Sequence, residues 1–230
     1  MENITTVRKM MSELRCLVSS NDRGYRWNTP KLKMIKDKET HTDIFWEDIK
    51  NYDKDIQYYF GHFIFIQDAN YNFTILDGLQ RIITISLFAS ALFERLKKAR
   101  TNHYIGNNEK FCFDDLIKIP SKIISIESIN TLKVNNYVKE LVFEMSDEDQ
   151  EAKIKSIKRI IKAYEYFLSI MAYKSEEEVL TLLNLISNAH CSTFCLELSN
   201  KMSQYQIYQV VNFRGKKISK LLKEEPNMFF

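Results

Sequence analysis

An α+β fold is what this sequence predicts, on three observations. Gln57 to Gln67, QYYFGHFIFIQ, is dense in the aromatic and β-branched residues that fit a pleated, half-buried strand. From Leu79 to about Arg100, apolar residues recur at helical spacing. Two later pairs, Ser146 with Asp149 and Ser175 with Glu178, have the spacing of capping boxes and so announce helix starts.

Taken in order, Trp46 to Tyr52 predicts a short helix, followed by the strand Gln57 to Gln67. Asp68-Ala69-Asn70-Tyr71-Asn72 has turn composition, and Phe73 to Leu76 is a second short strand, so the two strands predict a hairpin. In the helix that follows, Ile85, Phe88, Ala89, Leu92 and Leu96 share one face, and Ile83 and Leu87 widen it; this helix is expected to be largely buried. Between Thr101 and Ser128, Gly106-Asn107-Asn108 and Pro120 break the chain into short pieces without a clear period. Helices are expected over Asp147 to Tyr173 and Glu176 to Ser187, a strand over Thr193 to Leu198, and a helix over Ser203 to Phe213, with Gly215 as its stop. Residues 1–100 thus form a small mixed α/β unit, and residues 101–230 a mainly helical portion packed on it as one unit.

Composition narrows the function classes. The 230 residues are 45% hydrophobic and 27% charged, the balance of an ordinary globular protein. A chain of this length buries roughly 70% of its unfolded surface. The longest apolar run, Ile82 to Phe93, is far short of the ~20 residues that cross a bilayer, and the N-terminus lacks a continuous apolar signal. A cytoplasmic protein without membrane contact is expected. The four cysteines, Cys16, Cys112, Cys191 and Cys195, are too scattered for a disulfide framework or a zinc set and read as small buried thiols. Charge is uneven: residues 1–36 hold 8 Lys/Arg against 3 Asp/Glu, and residues 201–230 hold 6 against 2. Basic ends around an acidic middle make one anion-binding surface if the fold joins them.

The chain has no P-loop, no GxGxxG and no nucleophile elbow. What remains is three short stretches that share arginine: NDRGYRW at Asn21 to Trp27, DGLQR at Asp77 to Arg81, and NFRGK at Asn212 to Lys216. In the second, Asp77 has two candidate roles, helix cap or water-mediated ligand to Mg²⁺, of which the cap needs only local structure. The amides of Gly78, Leu79 and Gln80 would point out of the first helical turn, where phosphates bind, and glycine lets an anion approach the backbone. Arg81 would add a charge-assisted fork. By itself the stretch is equally a capped helix with a surface arginine.

Together, and with the aromatic strand at Tyr58 to Ile66, the three stretches resemble the N-terminal domain of the GmrS/GmrSD-type modification-dependent restriction proteins, from about Leu14 to Leu222. That family's motifs are YQRPYxW, DGQQR and N-x-RG-x-x-L/I-S; here they are carried by Arg23, Tyr25 and Trp27, by Asp77, Gly78, Gln80 and Arg81, and by Asn212, Arg214, Gly215 and Ser219. Leu79 replaces the first glutamine of DGQQR, Asn21-Asp22 replace Tyr-Gln, and Gly24 replaces proline. The changed first motif bears on hydrolysis more than on fold.

The resemblance implies a ParB/sulfiredoxin-like core in residues 1–100 and a regulatory module that binds nucleoside triphosphate with Mg²⁺. In that reading Gly78, Arg81, Arg23, Tyr25, Trp27, Asn212, Arg214 and Gly215 bind the nucleotide. Gln80, Arg81 and Asp77 serve its hydrolysis, with Gln80 positioning water. No HNH-type arrangement occurs in these residues, so the expected partner is an HNH-type nuclease domain or subunit elsewhere, with DNA and a second copy of the chain as further partners. The alternatives are a ParB-like DNA-binding module without hydrolysis and a catalytically silent interaction protein.

Overall fold

The structure is a computed structural model that describes residues 2–13, 16–17, 25–30, 40–52, 57–67, 73–100, 104–117 and 147–197. The expected turn at 68–72, the cap at Ser146 and the helix at Ser203 to Phe213 with its Gly215 stop lie outside these residues.

Among the described residues the elements run β1 (Glu2–Thr6), α1 (Val7–Glu13), β2 (Cys16–Leu17), α2 (His41–Lys50), β3 (Tyr59–Gln67), β4 (Phe73–Asp77), α3 (Leu79–Ala99), α4 (Asn107–Ile117), α5 (Asp147–Met171), α6 (Glu176–Asn188) and β5 (His190–Glu197). The expected α+β class holds. The short helix begins at His41 rather than Trp46, because Thr42, Phe45, Trp46 and Ile49 form one buried face. The strand β1 and helices α1 and α4 had no legible period, being only five, seven and eleven residues long.

The five strands are ordered β1-β5-β3-β4-β2. β5 is antiparallel to β1 and parallel to β3, while β3 and β4 form the expected antiparallel pair, and β4 runs parallel to β2. The late strand therefore sits inside the sheet, between one strand from the N-terminus and one from the hairpin. Two register shifts interrupt the ladders. Phe60 and Gly61 of β3 face Cys191 alone, since Tyr59 pairs with His190 and His62 with Ser192. Leu76 of β4 is the extra residue between Asp77, opposite Ile64, and Ile75, opposite Phe65. Both have the two-against-one count of a β-bulge, which bends a strand and re-aims its groups.

Helix α3 is the axis of the molecule, buried from Ile82 through Leu92 and packed against α4, α5 and α6. Phe88 of α3 meets Phe45 of α2 and Phe167 of α5 with ring centroids at 5.6 and 5.3 Å, and Phe45 also meets Phe60 of β3 at 5.9 Å. These edge-to-face and tilted pairs fill the space where α2, α3, α5 and the sheet converge. A buried serine resolves the polar problem on the other side: Ser86 Oγ lies 2.7 Å from the carbonyl of Leu116 at the end of α4. An otherwise orphaned helix-end acceptor is thereby satisfied in the interior.

Candidate anion site at the head of helix α3

The candidate site forms where β4 gives way to α3 through one residue, Gly78, the N-cap of the helix. Gly78 has φ +104°, and a Cβ there would collide with the Phe63 ring. Glycine is thus required twice, by the left-handed backbone and by the aromatic ring packed against it. The expected role of Asp77 as a cap is not what the structure shows. Gly78 occupies the cap position without a side-chain cap bond, and Asp77, still in the strand, receives Arg81 Nη2 at 3.2 Å. Leu79 is buried in the core and gives the first turn an apolar anchor.

Arg81 is enclosed on several sides. Its Nη1 donates to the carbonyl of Phe60 at 3.3 Å, and its guanidinium carbon lies 4.8 Å from the centre of the Phe63 ring, a cation–π contact. The side chains of Arg81 and Asp77 keep 24% and 34% of their exposure, so the pair is open to solvent on one side. Cys191 of β5 feels the same guanidinium. Burial pushes its thiol up to about 12, and the charge of Arg81 acts in the opposite direction. A buried neutral thiol here is a packing residue, as the scattered cysteines predicted.

The first and second arginine motifs are joined. Gln80 Oε1 accepts the backbone N–H of Arg26 at 2.7 Å. Tyr25 is fully buried: its backbone N–H donates to Ser156 Oγ of α5 at 2.6 Å, and its hydroxyl lies 2.9 Å from Thr84 Oγ1. Because Thr84 Oγ1 donates to the carbonyl of Gln80 at 2.9 Å, the Tyr25 hydroxyl is the donor of that pair. Burial holds the Tyr25 phenol protonated far above its ordinary range. Trp27 stacks on His41 of α2 at 5.6 Å with planes 17° apart, and the carbonyl of Asn28 accepts from Thr42 N at 3.3 Å. Tyr25 is therefore a pin of the core, and Trp27 is the aromatic residue of this motif with partial exposure.

Arg23, Asn212, Arg214, Gly215 and Ser219 lie outside the described residues. The reading from sequence did not find Gly61, Phe63, Thr84 or Ser156. Of these, only Gly61 carried a signal, a glycine inside a strand, which marks a bulge or a close approach. A shallow depression of about 530 Å³ lies elsewhere, along α6, lined by Glu176, Glu177, Leu180, Thr181 and Asn184.

The site thus brings together the N-terminal end of helix α3, one guanidinium paired with Asp77, and the first motif held by Gln80. The head of a buried helix presents its positive end, and one guanidinium is fixed beside it. No helix of the described residues is long and apolar enough to cross a membrane. No curated protein and no solved structure matches the chain. Residues 21–221, most of the chain and all three arginine motifs, match the family described as GmrSD restriction endonuclease, N-terminal domain. The chain thus belongs to the family of N-terminal domains of GmrSD restriction endonucleases, components of restriction and defence systems that work beside a nuclease domain.

Proposed function

We propose that this domain binds a nucleoside triphosphate with Mg²⁺ at the head of α3 and that the bound state licenses DNA cleavage by the partnered nuclease. One observation carries the reading: Arg81 is held beside the positive end of a buried helix, and the first motif is latched to that same turn through Gln80 and Arg26. The donor set suits phosphate, with a guanidinium fork and first-turn amides together. Asp77 holds the Nη2 arm of Arg81 at rest, so a phosphate would compete with a carboxylate for that arm. A displaced Asp77 carboxylate is then at hand for Mg²⁺, which takes one or two carboxylates beside phosphate oxygens.

Arg23 directly precedes the latched segment in sequence, and in this reading the remaining contacts would come from Asn212, Arg214 and Gly215. Trp27, rather than the buried Tyr25, is the candidate to stack on a base. For hydrolysis, Gln80 would have to exchange its bond to Arg26 for a water, a step that couples chemistry to the loop.

The test is a thermal-shift panel of ATP, GTP, CTP and UTP with Mg²⁺ on the wild-type protein, Arg81→Ala and Asp77→Asn. A ligand at a hundred times its Kd stabilises by about 2.7 kcal/mol. The expectation is a shift with at least one nucleotide, its loss in a folded Arg81→Ala, and retained phosphate binding in Asp77→Asn. No shift with any nucleotide, or an undiminished one in Arg81→Ala, would sink the site. DNA binding that weakens steeply with salt and ignores nucleotide would point instead to a DNA-binding module.

A further inference from the structure

Both positive-φ glycines and both strand bulges among the described residues border one side chain, Arg81. The β4 bulge at Leu76 immediately precedes Asp77, which takes Arg81 Nη2. The β3 bulge contains Phe60, whose carbonyl takes Nη1, and Gly61, with φ +89°. A Cβ on Gly61 would stand 2.6 Å from Arg81 Nη1, closer than real Cβ contacts allow. Phe63 serves twice, as the ring beneath the guanidinium and as the ring against which Gly78 turns.

A regular strand has no need of a left-handed residue at its start, and such a residue costs on the order of 1–3 kcal/mol unless it is glycine. Two irregularities on separate strands, converging on one cation, indicate that the position of the guanidinium is what the sheet has been bent to fix. A salt bridge alone would not need this, since Asp77 and Arg81 are four residues apart across the strand–helix junction and could meet without Phe60, Gly61 or Phe63.

We propose that Gly61 is a positioning residue for Arg81: the bulge it permits turns the Phe60 carbonyl onto one arm of the fork and leaves room for that arm, so that the other arm faces an anionic ligand in a preset orientation. The ligand class, a polyphosphate, rests on the function proposed above. The positioning itself rests on geometry within this chain.

The experiment compares wild type, Gly61→Ala, Arg81→Lys and the double variant. Two readouts are taken: the ¹⁵N–¹H resonance of Arg81 Nε, and affinity for magnesium tripolyphosphate, a base-free probe. In Gly61→Ala the Arg81 resonance is expected to move or broaden while the rest of the amide spectrum is kept, and affinity is expected to fall about tenfold. Lysine lacks the Nη1 atom, so in the Arg81→Lys background Gly61→Ala should cost little further affinity, a non-additivity that marks coupled residues. An unmoved Arg81 resonance in folded Gly61→Ala, or an affinity loss of equal size in both backgrounds, overturns the proposal. A wild-type protein that binds neither tripolyphosphate nor any of the four nucleotides overturns the nucleotide reading instead, and the resonance then decides the positioning. Should Gly61→Ala fail to fold, Gly61→Asn takes its place, since asparagine tolerates positive φ better and still adds a Cβ, with the same two outcomes expected and the same two overturning it.

Discussion

At Gly78 the backbone turns with φ +104° while the Phe63 ring fills the space a side chain would need. Gly78→Ala is therefore expected to cost about 1–3 kcal/mol from the backbone, with the collision adding to it, read as a lower urea midpoint at unchanged slope. The motif around Gly78 was legible because Asp77, Gly78, Gln80 and Arg81 are near neighbours in sequence, and a strand-to-helix junction is a local event. Its partners were not: Phe60 and Gly61 matter only because Cys191 faces both of them, a fact of strand register. The role of Asp77 misled for a related reason. Its cap chemistry is common, but the junction places Gly78 at the cap and leaves Asp77 to Arg81.

Helices were legible where their ends carry chemistry. The capping box at α6 is present as expected, with Ser175 Oγ accepting from Glu178 N and the Glu178 carboxylate accepting from Ser175 N. Lys174 and that amide hold the Glu178 carboxyl down to about 2. Ser175→Ala is expected to destabilise by about 1 kcal/mol in chemical denaturation. The joint between α3, α4 and α6 was not legible, since its residues come from three elements. Arg100 closes α3, forks onto Glu109 of α4 at 2.7 and 2.8 Å, and reaches Glu176 of α6 at 2.8 Å.

Arg100, together with the Gly106 amide, holds the Glu109 carboxyl below its ordinary range. A depressed folded pKa contributes stability above the unfolded value, and that stability is lost as pH falls through the folded one. Melting temperature measured against pH should therefore fall on acidification, and the fall should be shallower in Glu109→Gln, which starts lower at neutral pH. A variant whose curve runs parallel to wild type would exclude Glu109 from the acid response.

Across the whole molecule, the hairpin, the buried α3 and the late strand are visible in sequence because each carries its own period. Their arrangement is not, since which strand lies beside which is settled by long-range pairing. β1 illustrates this: its Ile4 is exposed, and the strand is recognisable only through its ladder with β5, from Glu2 opposite Phe194 to Thr6 opposite His190. Removing residues 1–6 should bare the β5 edge. The expected result is a lower melting temperature together with larger species in size-exclusion chromatography, and a monomeric profile with unchanged melting would count against it.

The interior place of β5 also sets an order of events during synthesis. β1 and β3 leave the ribosome long before the strand that lies between them, so the early chain has two sheet edges with nothing to join. Cys191, which faces the β3 bulge, arrives with β5. A chain stopped short of His190 would thus carry the whole DGLQR motif but not the strand against which Phe60 and Gly61 bulge. Assembly of the arginine's seat is in this way tied to near-completion of the domain, so that a half-made chain does not yet hold its anion clamp in place.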